Sequence, residues 1–149
     1  MSYKVKIAWQ KADDEAFIDN KYSRAHRWMF DGAEVVGSAS PHAVPAPMSL
    51  ANAVDPEEAF VASLASCHML WFLALAAGRG VLVNSYEDNA EGILAKNADG
   101  NLAMTRVTLR PKVDAEDADE NEIAELHHAA HQKCYIANSV TTEIIVEPQ

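Results

Sequence analysis

The chain has 149 residues, 49% of them hydrophobic, which suffices for one domain with a sizeable core spanning residues 1–149. Its 12 basic and 22 acidic residues leave a net charge of −10. That balance excludes nucleic acid as the main partner and disfavours anionic membranes, because both require clustered cations. Met1–Trp9 lacks the apolar core of a signal peptide, so a cytoplasmic location is the default expectation.

Residues 3–9 set Lys4 and Lys6 against Val5, Ile7 and Trp9, the alternation of a half-buried strand. Residues 11–20 read as a polar loop. Alternation resumes from Tyr22 to Phe30, and Asp31-Gly32 then predicts a hairpin returning through Glu34-Val35-Val36. Residues 37–54 hold Pro41, Pro45 and Pro47 among small side chains and predict an irregular connection.

Asp55-Pro56-Glu57-Glu58 opens the central element. Asp55 suits the cap, Pro56 the first helical position, and Glu58 completes a capping-box spacing. Nothing breaks the helix before Gly78-Arg79-Gly80, so it should run from about residue 56 to 78, roughly 35 Å at ~1.5 Å per residue. Residues 59–77 carry no formal charge, and their polar members are Ser63, Ser66 and His68, with Cys67 in the middle. A helix apolar all round is buried on every side. Alanine content, a mid-span histidine and the lack of flanking anchors favour a core helix over a membrane span.

Beyond the helix, Val81–Leu94 reads as one strand bent near Asp88-Asn89 or Gly92, and Asp99-Gly100 as a second hairpin turn. Residues 103–113 form the clearest strand pattern, with Pro111 marking an edge or an end. Asp114–Glu122 predicts an acidic loop entering a second helix that runs to about Cys134. Tyr135–Asn138 is a short connection, and Val140–Val146 a closing strand. The order of elements is α+β. One chain of this size cannot cover a helix with no polar face, so a two-fold homodimer with central helices packed together is expected.

Three constellations could carry chemistry. Cys67 and Cys134 are the two cysteines, and the second could capture an oxidised Cys67 as a disulfide. Reactivity would need a cation, for which Arg24 and Arg27 are available, with Glu57 to orient one. His127, His131 and Cys134 share a helical face at metal-ligand spacing, with His68 or Cys67 as a possible fourth ligand. Ser63, Ser66 and His68 lack a GxSxG elbow, and serines in a core helix bond their own carbonyls.

Asp55-Pro56-Glu57-Glu58 followed by Leu64-Ala65-Ser66-Cys67-His68, and Ala130-His131-Gln132-Lys133-Cys134-Tyr135-Ile136-Ala137-Asn138-Ser139, resemble the two cysteine motifs of the OsmC/Ohr family, its OsmC-like branch. The resemblance implies an OsmC-like fold, with antiparallel sheets around a long buried central helix in an intertwined homodimer. It implies a thiol peroxidase, without cofactor or metal, acting on organic hydroperoxides and served by an external dithiol. Cys67 would be the peroxidatic nucleophile, Cys134 the resolving thiol, and Glu57 the carboxylate that positions an arginine. Arg24, seven residues before Asp31-Gly32, fits that arginine better than Arg27. The chain departs from the family in having Tyr135 where proline commonly follows the second cysteine.

Glu57 and Cys67 lie ten residues apart, ~15 Å along a helix, so they cannot touch within one straight helix. A composite site is therefore expected, with Arg24 and Glu57 of one subunit serving Cys67 of the other. The alternative is a non-catalytic small-molecule or metal-binding protein on the same fold.

Overall fold

The computed structural model describes every residue from Met1 to Gln149. The chain divides into two compact units, residues 1–59 and 60–149. In the first, β1 (Lys6–Ala8), β2 (His26–Met29) and β3 (Glu34–Gly37) form an antiparallel sheet in that order. Trp28 pairs with both Ile7 and Val35, and the Phe30 N–H donates to the Ala33 carbonyl at 2.8 Å to close the Asp31-Gly32 hairpin. The strands are shorter than their alternation predicts. Tyr22–Ala25 leave the ladder because the Arg24 N–H is taken by the Met48 carbonyl at 2.7 Å. The connection from 38 to 54 is irregular, as expected, and buried Ser38 stitches it. Its N–H donates to Val54 at 3.0 Å, and its Oγ accepts from the Leu50 N–H at 3.0 Å.

The central helix α1 spans Pro56–Gly78, the predicted bounds. Its capping box is reciprocal. Asp55 Oδ1 accepts from the Glu58 N–H at 2.7 Å, and Glu58 Oε2 accepts from the Asp55 N–H at 3.2 Å. At the other end the Val81 N–H reaches the Ala76 carbonyl at 2.9 Å and the Gly80 N–H the Ala77 carbonyl at 3.1 Å. Gly80 takes φ +78°, so the ending is a Schellman motif.

In residues 60–149, two of the predicted strands are each divided. Val81–Leu94 becomes β4 (Leu82–Asp88) and β5 (Glu91–Lys96), and residues 103–113 become β6 (Leu102–Leu109) and β7 (Pro111–Glu116). The halves enter different sheets. β4 pairs with β7, while β5 pairs with β6. At the crossing, Asp88 Oδ1 accepts from the Arg110 N–H at 2.7 Å, so a side chain replaces the ladder where both strands change sheet. β7 also extends into the acidic stretch expected to be loop. Only Asp117–Asp119 remains irregular before α2 (Glu120–Lys133), with Asp119 capping the Glu122 N–H at 2.8 Å. The closing strand β8 (Glu143–Val146) runs parallel to β6, so the sheets are antiparallel except for this pair.

Within this unit α1 buries one stripe, Leu64, His68, Phe72 and Ala76, at i, i+4 spacing. Leu64 joins a core with Val107, Leu109, Ile144 and Val146. Phe72 and Ala76 join another with Val81, Leu126 and Ala130. By length and composition α1 could cross a membrane, a test that core helices also pass. Burial on every side is not achieved within the chain: Ala62, Ser66, Leu70 and Ala74 stand exposed on another stripe.

Candidate functional site

Cys67 lies half-buried in mid-helix, one residue before His68, and Cys134 lies buried at the carboxyl end of α2, both as free thiols. The fold brings them close enough for the Cys67 sulfur to act on the Cys134 thiol. The Cys134 N–H donates to the Ala130 and His131 carbonyls at 2.9 and 3.3 Å, which fixes it as the helix cap. Its Sγ accepts from the Ala137 N–H at 3.4 Å. Burial, and then the neighbouring Cys67 sulfur, push the Cys134 thiol up to about 11, so it is a neutral thiol at physiological pH. Tyr135, the departure from the family pattern, is exposed. Its ring meets Trp71 of α1 edge-on at 5.5 Å, and the Lys133 ammonium sits 5.4 Å above the same indole.

Arg24 is placed by the loop before β2. Its Nη1 donates to the Asn20 carbonyl at 3.2 Å and to the Tyr22 carbonyl, its Nη2 donates to Asn20 Oδ1 at 2.9 Å, and its guanidinium lies 3.6 Å over the Tyr22 ring. It lines an open cleft of about 540 Å³ with Trp9, Phe17, Tyr22, His26 and Pro56. Arg27 instead forms an exposed pair with Glu34 across the hairpin at 3.4 Å. Glu57 is half-buried and forms no ion pair, so within residues 1–59 the structure does not bring Glu57 and Arg24 together.

The metal-ligand spacing read on the second helix does not carry over into a gathered set of ligands. No group of three or more His, Cys, Asp or Glu side chains is arranged to hold a metal. His127 turns inward, where its Nδ1 shares a hydrogen bond with His68 Nε2 at 3.0 Å. The two rings stack at 5.3 Å and 9°, and Phe72 stacks on His127 at 4.3 Å. Burial, and for His68 then the neighbouring His127 and His131, lowers both imidazoles from 6.5 to about 4. Ser63 Oγ donates to the Phe60 carbonyl at 2.8 Å, the self-bonding expected of a core-helix serine. Reading the sequence singled out both histidines but not their pairing. The available signal was positional: His68 is the one ionisable side chain other than Cys67 in a charge-free run, and His127 lies two turns before Cys134.

Comparison with known proteins bears on the family and the fold. Residues 49–149 match the family model described as OsmC-like protein. An OsmC-like protein of unknown function from Vibrio cholerae is 50% identical over 100% of this chain and 99% of its own, with a TM-score of 0.97. The organic hydroperoxide resistance protein OhrB of Bacillus subtilis has the same fold at 21% identity and TM-score 0.72, covering 100% of this chain and 98% of its own. So does an organic hydroperoxide resistance protein OsmC from Legionella pneumophila, at 16% identity and TM-score 0.70, covering 99% and 95%. No curated protein matches the chain.

Proposed function

The chain belongs to the OsmC-like protein family, and from that premise we propose that it is a cysteine-based peroxidase that reduces organic hydroperoxides. The observation that carries this reading is the pair of free, adjacent thiols, one partly accessible and one buried. Relatives named organic hydroperoxide resistance proteins share the fold.

The Cys67 thiolate attacks the outer oxygen of R–O–OH. The O–O bond breaks, Cys67 becomes a sulfenic acid, and the alkoxide leaves to be protonated as R–OH. Cys134, held as a thiol, then attacks the Cys67 sulfur. The S–S bond forms, the sulfenic hydroxyl departs, and the Cys134 proton leaves with it as water. An external dithiol reduces the disulfide and is itself oxidised. Arg24 is the group that favours the thiolate and charge on the departing oxygen, with Glu57 as its carboxylate partner. The exposed Ala62, Ser66, Leu70 and Ala74 stripe supports a homodimer, in which Arg24 and Glu57 of one subunit serve Cys67 of the other. A cytoplasmic location suits the need for a dithiol reductant.

Free-thiol titration after one equivalent of cumene hydroperoxide tests the reading. Two thiols lost per chain are expected, and none in Cys67→Ser. Two thiols remaining in the native protein would overturn it and leave a binding role for the cleft at Arg24.

A further inference from the structure

The His68–His127 bond has no part in the chemistry above, yet it joins the same two helices that carry the sulfurs. His68 follows Cys67 directly, and His127 precedes Cys134 by seven residues, two turns on the same face of α2. It is the single buried side-chain hydrogen bond between α1 and α2; the other, from Arg79 just past α1 to Glu125 at 3.4 Å, is exposed. The other buried side chains that join the two helices in this core, Phe72 and Ala76 against Leu126, Ala130 and Ile123, are apolar, and the Lys133 ammonium over Trp71 is a contact outside that buried set. Apolar contacts are non-directional and permit a helix to settle in neighbouring registers, whereas one buried polar pair selects a single register. A shift of α2 by even one residue, ~1.5 Å along its axis, would break a 3.0 Å bond and part the thiols.

The pair is also costly. His68 and His127 are 1% and 3% exposed, and the outer nitrogen of each, His68 Nδ1 and His127 Nε2, has no partner. Unpartnered buried polar atoms oppose folding. An apolar pair of similar size would serve stability better, so the pair is better explained by position than by stability.

We propose that the His68–His127 hydrogen bond is a register latch, fixing α2 on α1 so that Cys134 stands where it can reach Cys67. Both histidines are then positioning residues for the disulfide. The inference rests on the reading of Cys67 and Cys134 as a redox pair, and deepens it.

The test is the equilibrium of that disulfide in oxidised and reduced glutathione, read by thiol alkylation and mass spectrometry. In this exchange the protein disulfide and two glutathione thiols become two protein thiols and one glutathione disulfide. His68→Leu with His127→Leu removes both polar groups, so folding is retained while the latch is lost. Its disulfide formation constant should fall about tenfold or more, with no loss of thermal stability. His68→Gln with His127→Asn keeps amides at the bonded positions and should stay within about twofold of the native protein. His127→Phe keeps the stack on Phe72, deletes the bond, and carries the same test should the leucine pair fail to fold.

A native constant in the leucine pair or in His127→Phe would overturn the latch. So would an amide pair that falls as far as the leucine pair. A parallel arm with cumene hydroperoxide separates the two readings. If the native protein forms the disulfide in glutathione but not with peroxide, the peroxidase reading fails and the latch is still decided by the glutathione constants. If it forms the disulfide in both and the variants match it, the latch fails alone.

Discussion

In residues 60–149, Cys67 and Cys134 stand together on a frame fixed by a helix cap, a buried histidine pair and an edge-on Trp71–Tyr135 contact. In residues 1–59, Arg24 spends its donors on Asn20 and Tyr22 of its own loop, its Nε–H makes no bond, and Glu57 is unpaired. The thiol geometry is thus a property of the folded chain. The cation is held by an exposed loop and retains a donor for a carboxylate or an anion. Under the proposed reading, nucleophile and resolver are set by the fold of one chain, while the electrostatic help from Arg24 waits on assembly.

Breaking the thiol half should have the largest effect. Cys67→Ser should abolish hydroperoxide consumption above the buffer rate, measured by peroxide loss. Cys134→Ser should still lose its remaining thiol once, leaving a sulfenic acid that dimedone traps, and should then stop turning over. Retained turnover in Cys67→Ser would remove the premise of the comparison.

The arginine half should matter less and reveal who supplies it. Arg24→Gln or Glu57→Gln should slow the first thiol loss by about 10²-fold, the scale of losing one preorganised charge donor. Mixing Cys67→Ser with Arg24→Gln is the sharper experiment. If the site is composite, each mixed dimer holds one complete site, and random exchange should restore about a quarter of the native site number. If both groups come from one chain, nothing is restored.

Much of this was legible beforehand, for physical reasons that differ by element. The capping box at Asp55–Glu58 and the Gly80 ending are local, so residues 56–78 came out at the observed bounds. The Asp31-Gly32 hairpin is local in the same way. The breaks themselves were legible, at the bend near Asp88-Asn89 and the end at Pro111, but the exchange of sheets there was not. Nothing in the run Val81–Leu94 or in residues 103–113 tells that Asp88 and Arg110 bond across a sheet change. The parallel β6–β8 pair depends on a connection through α2, which alternation does not encode. At the site, both cysteines and both histidines stood out by residue type. Spacing on one helix suggested metal ligands because it cannot show that His127 faces His68, which lies 59 residues away in sequence.

Acid should act on the thiol half through the histidine pair. Both imidazoles have folded values lowered from 6.5 to about 4, so the unfolded chain binds more protons across that interval. Stability is then full above about pH 6.5 and falls as pH drops toward 4, by about 2 kcal/mol per ring at pH 5. The facing groups are His131 of α2 and, from β4, Tyr86 with Asp88, which answers Arg110. Burial raises Asp88, whose carboxyl therefore acts in the opposite sense and offsets part of the loss. Urea midpoints at pH 7 and pH 5 should differ in the native protein and much less in the His68→Gln, His127→Asn pair. Equal pH dependence in both would assign the acid response to other groups.

The smallest expected effect probes how far the thiol frame is over-determined. Tyr135 stands where the family commonly has proline, and its ring is 67% exposed except where its edge meets Trp71 at 5.5 Å. An exposed edge-to-face pair contributes about 1 kcal/mol, and the Lys133 ammonium 5.4 Å over the same indole about half of that. If the two contacts steady the residues flanking Cys134, Tyr135→Ala should lower the disulfide formation constant by up to about fivefold, the equivalent of 1 kcal/mol. Tyr135→Phe should leave it unchanged, because the phenol oxygen takes no part in the contact with Trp71. The buried latch should outweigh this surface contact, since a bond shielded from water gains strength that an exposed ring contact does not. A Tyr135→Ala loss larger than that of the leucine pair would reverse that ranking and move the control of Cys134 from the core to the surface.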